Sequence, residues 1–277
     1  FFFASAAGMR MTRLSRAALA PARIFDSHLH VWSDGQAPYE WAREPPPELH
    51  STATTDVMVR TLKAAGVCGA LLVQPANHGH DHLYVRKALA AHPQFLRGMC
   101  LANPTLPVSD AVADLEQLQE EGFVAVRFNA AAFGDGLDGP LGRTLFQKAG
   151  ELAMPVGIMC FAGLASQAHA IEALLESSPG TAVVIDHWGL PRQPPTGGLL
   201  GNAAADDEAS WAALLALARH PKVCVKLSAM FRVSAAPWPH PDLGPRVRAL
   251  LQAYGSGRLM WGSDWPWVTV GGGPWQW

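Results

Sequence analysis

What this chain lacks narrows its function first. Only 4 of its 277 residues are cysteine, Cys68, Cys100, Cys160 and Cys224, and no two of them form a C-x-x-C pair. That spacing does not suit a zinc knuckle, and it is too sparse for a disulfide scaffold. Runs such as VCGALLV and KVCVKLS set most of them among apolar neighbours, which suits buried free thiols in a reducing, intracellular compartment. Charged residues make up 16% of the chain and the net charge is −2, with no run of Lys or Arg, so nucleic acid is not an expected partner. No uninterrupted apolar stretch approaches the roughly 20 residues of a membrane helix. No G-x-G-x-x-G follows the first apolar run, which removes the usual dinucleotide fingerprint. A small-molecule substrate is the partner these absences leave.

Residues 1–23 lack something more specific, an acid. They carry Arg10, Arg13, Arg16 and Arg23 among Ala and Ser, a composition like that of organelle transit peptides. The apolar FFFASAAGM precedes these arginines, the reverse of a secretory signal. The expectation is a leader over 1–23, either a plastid or mitochondrial transit peptide or a disordered segment, ahead of one domain over 24–277. Without import, the location would be cytoplasmic. Phe in place of Met at position 1 adds the expectation of a fragment, or of a true start at Met9 or Met11.

With 49% hydrophobic residues the chain can bury a sizeable core. Eight short, nearly continuous apolar runs are bounded by Gly, Pro or polar residues: ARIFDSHLH (22–30), CGALLVQPA (68–76), FLRGMCLAN (95–103), FVAVRFNA (123–130), MPVGIMCFA (154–162), TAVVIDHWG (181–189), KVCVKLSAM (222–230) and RLMWGSDWP (258–266). Such runs suit strands buried on both faces. Helical stretches alternate with them, among them TTDVMVRTLKAAG, LGRTLFQKAGELA and PRVRALLQAYG. SDAVADLEQLQEEG is a further helix, with Ser109 as cap, Val112, Leu115 and Leu118 at helical spacing, and Gly122 as stop. This alternation predicts an α/β fold of the (β/α)8, TIM-type class. The closing VTVGGGPWQW carries no helical pattern. The barrel is therefore expected to be truncated before its final helix, with apolar surface bare on the first and eighth strands and homo-oligomers favoured.

Chemistry in such barrels gathers at the C-terminal strand ends. The polar residues there are His28 and His30 on the first strand, Gln74 on the second, Asn103 on the third, and Arg127 and Asn129 on the fourth. Asp186 and His187 follow on the sixth, Lys226 and Ser228 on the seventh and Asp264 on the eighth, while the fifth ends in Ile158, Met159 and Cys160. His28 and His30 share a face because alternate residues of a strand do. The pair suits a metal ion, a directly held substrate or plain core packing, and spacing leaves the three open. With His187 and Asp264 in the same mouth, the set can bind a divalent cation or activate water. Plainer readings stand beside these: Asp264 shaping a turn before Pro266, Asp186 and His187 as a structural pair, Arg127 in a surface ion pair, and Lys226 as the partner of a barrel carboxylate. His78, His80 and His82 look like a metal cluster, but their place in the second-strand loop favours lining the pocket.

FDSHLHVW, AVRFN, VIDHWGLP, VKLS and WGSDWPW, in that order over residues 24–268, resemble the amidohydrolase-related family. They are most similar to its branch containing 2-pyrone-4,6-dicarboxylate lactonase and L-fuconolactone hydrolase-like proteins. The resemblance implies a distorted (β/α)8 barrel of the metal-dependent hydrolase superfamily and a hydrolase activity. In metal-dependent members the ligands are two first-strand histidines, a fifth-strand histidine and the eighth-strand aspartate, with a sixth-strand histidine assisting. The matching positions are His28, His30 and Asp264, with His187 assisting. PVGIMC lacks the fifth-strand histidine, and Cys160 as a thiolate is the substitute considered. That loss is what the metal-independent lactonases of the family would show, so no cofactor is favoured and the histidines are expected to touch substrate. On this basis Asp264 is the general base toward water, and His28, His30 and His187 polarise the carbonyl and stabilise the oxyanion. Arg127 and Arg232 match substrate-binding arginines and would hold a carboxylate, with Asn129 and Gln74 completing the substrate set. The expected reaction is metal-independent hydrolysis of a small carboxylated lactone or cyclic ester. Two rivals remain: a Zn2+-dependent amidohydrolase or decarboxylase using His28, His30, Asp264 and His187, and a truncated remnant that is inactive or only binds.

Overall fold

Strands buried on both faces need apolar residues at every position, and the eight apolar runs supply them. The computed structural model describes residues 23–189 and 203–271. Residues 1–22 of the expected leader, and the last two residues of VIDHWGLP, lie outside that description. The strands are β1 (Ile24–Leu29), β2 (Val67–Val73), β3 (Leu96–Leu101), β4 (Phe123–Asn129), β5 (Val156–Met159), β6 (Val183–Ile185), β7 (Val223–Ser228) and β8 (Leu259–Gly262). They pair in parallel and in chain order from β1 to β8, the arrangement of a (β/α)8 barrel. Seven of the eight predicted runs contain their strand, and β2 begins one residue before its run, at Val67.

The connecting helices are α1 (Thr55–Ala64), α2 (Leu83–Ala91), α3 (Val108–Glu120), α4 (Pro140–Glu151), α5 (Ala168–Ser177), α6 (Ala203–Leu217), α7 (Met230–Val233), α8 (Gly244–Tyr254) and α9 (Trp267–Gly271). Their apolar stripes meet the outer strand faces, where Leu115, Phe146, Ile171, Leu174, Leu214 and Leu250 are buried. Two sequence expectations change here. Ser109 does not cap α3: the helix starts one residue earlier after Pro107, and the Ser109 hydroxyl bonds Asp110 instead. The stretch after β8 does hold a helix, the short α9, which begins at Trp267. Among the described residues, no helix is long and apolar enough to cross a membrane.

Inside the barrel, Val73, Met99 and Ala125 form a small apolar cluster of their own. At the outer face of β1, Phe25 is 55% exposed, and β8 is half-buried where β5 is fully buried. The barrel closes beyond the end of β8. The His30 N–H donates to the Trp265 carbonyl at 2.7 Å and the Asp264 N–H to the His28 carbonyl at 2.9 Å, around a parallel bridge between Leu29 and Trp265. The residues at this seam are those of the site.

Candidate active site

Local backbone devices place the side chains. β1 gains a residue on β2 between Asp26, which faces Ala70, and Leu29, which faces Leu72. Such a bulge takes backbone groups out of the ladder. The buried Asp26 carboxylate meets this need: Oδ1 accepts from the His28 N–H and from the Ser263 N–H, each at 3.0 Å. One side chain thus ties β1 to the chain after β8. Burial pushes its carboxyl up to about 6. Gly262 permits the same close approach, since a Cβ there would stand 2.9 Å from the His28 Cβ. His187, Trp188, Ala229 and Asp264 all have positive φ, between 48° and 58°. Left-handed backbone at non-glycine residues is unfavourable and clusters where packing over-determines it.

The side chains converge. His28 Nε2 lies 3.3 Å from His30 Nε2, and Asp264 Oδ1 lies 3.5 Å from His30 Nε2 and 3.9 Å from His28 Nε2. The His187 ring stands 4.3 Å from that of His28, centroid to centroid, with Nδ1 2.8 Å from Ser228 Oγ. Asp264 Oδ2 accepts from Arg232 Nε at 3.3 Å, and the Arg232 guanidinium lies near the Phe231 and Trp267 rings. His30 Nδ1 is 2.8 Å from the Val73 carbonyl, which can only accept. A neutral His30 therefore presents Nε2 as an acceptor. Beneath this group lies buried Asp186. Its Oδ2 accepts from Arg127 Nε at 2.8 Å, and its Oδ1 is 3.1 Å from Lys226 Nζ and 3.3 Å from His28 Nδ1. The Arg127 pair is thus buried, and Lys226 does pair with a barrel carboxylate.

These contacts set the charges. Burial alone would raise Asp186, but Lys226 and Arg127 outweigh it and hold the carboxyl well below its usual range. Burial, joined by the nearby Lys226, keeps His28 well below its usual value, and burial brings His187 down to about 4. Both rings are neutral near pH 7. Asp264 is also pushed up by burial, yet the neighbouring His187, His30 and His28 bring it below the usual carboxylate range. It is ionised.

His28, His187 and Asp264 offer ligand atoms all within 4.8 Å of one another, beside His30 Nε2, so the donor atoms can enclose a cation. Their supports fit one less well. The end of β5 offers Met159 and then Cys160, whose thiol burial pushes up to about 12 and which is not among the converging ligand residues. His28 Nδ1, which a metal-bound ring would offer to an acceptor, has the Lys226 ammonium at 3.1 Å beside the Asp186 carboxylate at 3.3 Å.

Above the group opens a cavity of about 670 Å³, lined by His30, His187, Asp264, Arg127 and Arg232, with Phe161 and Trp267 as aromatic walls. Two of the expected substrate residues are not on its wall. The Gln74 amide donates to the Gly79 and Asp81 carbonyls at 3.0 and 2.8 Å and so shapes the loop after β2; Asn129 ends β4 away from the cavity lining. The three histidines of the second-strand loop likewise lie off this wall. His78 Nε2 accepts from the Ser33 N–H and His82 Nε2 from the Leu101 N–H, while His80 and His82 line a separate hollow of about 130 Å³. Sequence reasoning missed Arg43 and Asn77 on the cavity wall, which clamp each other: the Arg43 N–H donates to the Asn77 carbonyl at 3.1 Å, and Asn77 Nδ2 to the Arg43 carbonyl at 3.0 Å. It also missed Asp26, for which the D-x-H-x-H spacing was an available signal.

A family model described as amidohydrolase matches residues 25–277. An L-fucono-1,5-lactonase of Burkholderia ambifaria is 28% identical over 249 residues, covering 87% of this chain and 79% of the relative. A 4-sulfomuconolactone hydrolase of Hydrogenophaga intermedia is 28% identical over 252 residues, covering 89% and 75%. Among solved structures, a Pseudomonas putida protein with the provisional name 2-pyrone-4,6-dicarboxylic acid hydrolase superposes with a TM-score of 0.68 at 29% identity, covering 88% of this chain and 83% of that one.

Proposed function

We propose that this chain, which belongs to the amidohydrolase family, hydrolyses a small carboxylated lactone or cyclic ester without a metal ion. The observation that carries this reading is ionised Asp264 against neutral His28 and His187, with Lys226 behind His28 and no ligand from β5. Two curated relatives named as lactone hydrolases support the lactone part of this reading. Asp264 Oδ1 takes a proton from water as its oxygen attacks the ester carbonyl. His28 and His187 donate toward the oxygen that becomes the oxyanion, in place of a Lewis acid. The tetrahedral species then breaks its ring C–O bond, and the proton on Asp264 passes to the departing oxygen, giving a ring-opened hydroxy acid. His30, whose Nε2 accepts, suits holding the water more than the oxyanion. Arg127 and Arg232 on the cavity wall suit a substrate carboxylate.

A zinc-dependent hydrolase or decarboxylase is the second reading, and it rests on the convergence of His28, His187 and Asp264 beside His30. A cation there would supply Lewis-acid polarisation of a carbonyl. Metal analysis of tag-free protein, with hydrolysis of carboxylated and neutral lactones before and after chelation, separates the two. Turnover that survives chelation supports the proposal. Activity lost with about one equivalent of removable metal overturns the metal-free mechanism, and a panel untouched in both states overturns the lactone class.

A further inference from the structure

Lys226 takes no part in the steps above, yet it is almost wholly buried on β7. Its Nζ stands 3.1 Å from Asp186 Oδ1, 3.1 Å from His28 Nδ1 and 3.9 Å from Met99 Sδ, over the apolar cluster inside the barrel. His28 Nδ1 therefore has two neighbours with opposite demands. Asp186 only accepts, and would fix an Nδ1–H with a bare Nε2. Lys226 only donates, and would fix a bare Nδ1 with an Nε2–H.

The far side of the ring decides between them. His28 Nε2 is 3.3 Å from His30 Nε2, and His30 has already committed its proton at Nδ1 to the Val73 carbonyl. Two bare nitrogens at that distance repel; one bare and one protonated make a hydrogen bond. Asp264 Oδ1, the other neighbour, is also an acceptor. The proton that satisfies all of them sits on His28 Nε2, and Lys226 at equal distance from His28 and Asp186 bridges the two acceptors it leaves behind.

We propose that Lys226 is a positioning residue that holds His28 as the Nε2–H tautomer. The directed chain runs from Lys226 N–H to His28 Nδ1, from His28 Nε2–H to His30 Nε2, and from His30 Nδ1–H to the Val73 carbonyl. Asp186, held in turn by Arg127, keeps the ammonium in place. The consequence rests on the lactone reading: the ring presents a donor where the oxyanion develops, and the nitrogen a metal would use already carries a proton.

The test is the proton–nitrogen correlation spectrum of the histidine rings in the full chain, with the His28 signals assigned by their loss in His28→Gln. The native spectrum should show His28 protonated at Nε2 alone. In Lys226→Met the proton should move to Nδ1, against Asp186. With the oxyanion donor gone, kcat should fall roughly 10²-fold while KM stays within about twofold. Zinc titrated into the variant should bind at least about tenfold more tightly than to the native chain. An Nδ1–H on native His28 overturns the proposal, and that measurement needs no variant to fold. An unmoved tautomer in Lys226→Met overturns it as well. If the native tautomer is as stated and no lactone is opened, the functional reading fails and this assignment stands; lactone turnover with an Nδ1–H on His28 fails only the assignment.

Discussion

Taking the protein from about pH 7.5 to about pH 5 is expected to remove several kcal/mol of folding stability, through histidines that the fold keeps neutral. Burial brings His187 and His82 down to about 4 each, and keeps His28 well below its usual value. In the unfolded chain each ring takes its proton near about 6.5. Between those limits the unfolded state binds a proton that the folded state refuses, so stability falls as the pH falls. At pH 5 His187 and His82 should each contribute a loss of roughly 2 kcal/mol, and His28 adds to it in the same direction. Asp26 works the other way. Its carboxyl, raised to about 6, takes a proton before its unfolded counterpart does, and returns roughly 1 kcal/mol. The balance is a loss of roughly 3 kcal/mol before His28 is included, a large part of the ~5–15 kcal/mol that typical domains possess. Urea titrations at the two pH values measure it as a shift of midpoint at constant slope. His82 lies outside the site, packed edge-on against Phe123 with Nε2 accepting from the Leu101 N–H at 3.0 Å. His82→Gln keeps an acceptor there and should shrink the pH-dependent loss by roughly 2 kcal/mol. Stability that is flat, or that rises toward pH 5, refutes the reasoning, because it requires these rings to be charged in the fold.

Asp264→Asn should lower kcat by about 10²- to 10⁴-fold, the range of a lost general base, with the far-ultraviolet circular dichroism of the native fold retained. Activity within a few-fold of native would remove Asp264 from that role. Gly262→Ala forces a methyl group to within 2.9 Å of the His28 Cβ. Denaturant titration should show it less stable by roughly 1–3 kcal/mol, with kcat reduced as His28 is displaced. Native stability together with native kcat would mean that β8 can move aside freely.

The barrel was legible because its strands are buried on both faces, which writes them as unbroken apolar runs with turn residues between. α2 was less visible because it buries only Val85 and Ala88, too short an apolar stripe to stand out. The strand-end rule brought His28, His30, His187 and Asp264 together for the same geometric reason, since they sit at strand ends whose order the topology fixes. Residues on longer connections escaped it. Arg43 reaches the cavity only because its backbone is clamped to Asn77 from another loop, a contact with no periodicity to betray it. Gln74 satisfied the rule yet stands off the cavity wall, since nearby backbone carbonyls take its amide. Asp26 reads as an odd carboxylate in an apolar run, and its purpose becomes plain only when the bulge frees the His28 N–H.

The closure of the barrel explains why these substitutions should behave differently. At the seam, His30 and Asp264 donate their backbone N–H groups and His28 supplies a backbone carbonyl, while the side chains of the same three residues face one another at the site. Structure is held by the main chain and chemistry by what hangs from it. Asp264→Asn leaves the main-chain bond to His28 in place, so the reaction can be lost with the fold retained. Gly262→Ala acts on the spacing between β1 and β8 themselves, where no side chain can give way without moving His28. Asp26 belongs to both classes: its carboxylate is a side chain, but it bonds two backbone N–H groups across the seam. Replacing it would therefore loosen closure and site together, and the site's geometry is only as firm as that carboxylate's grip on Ser263.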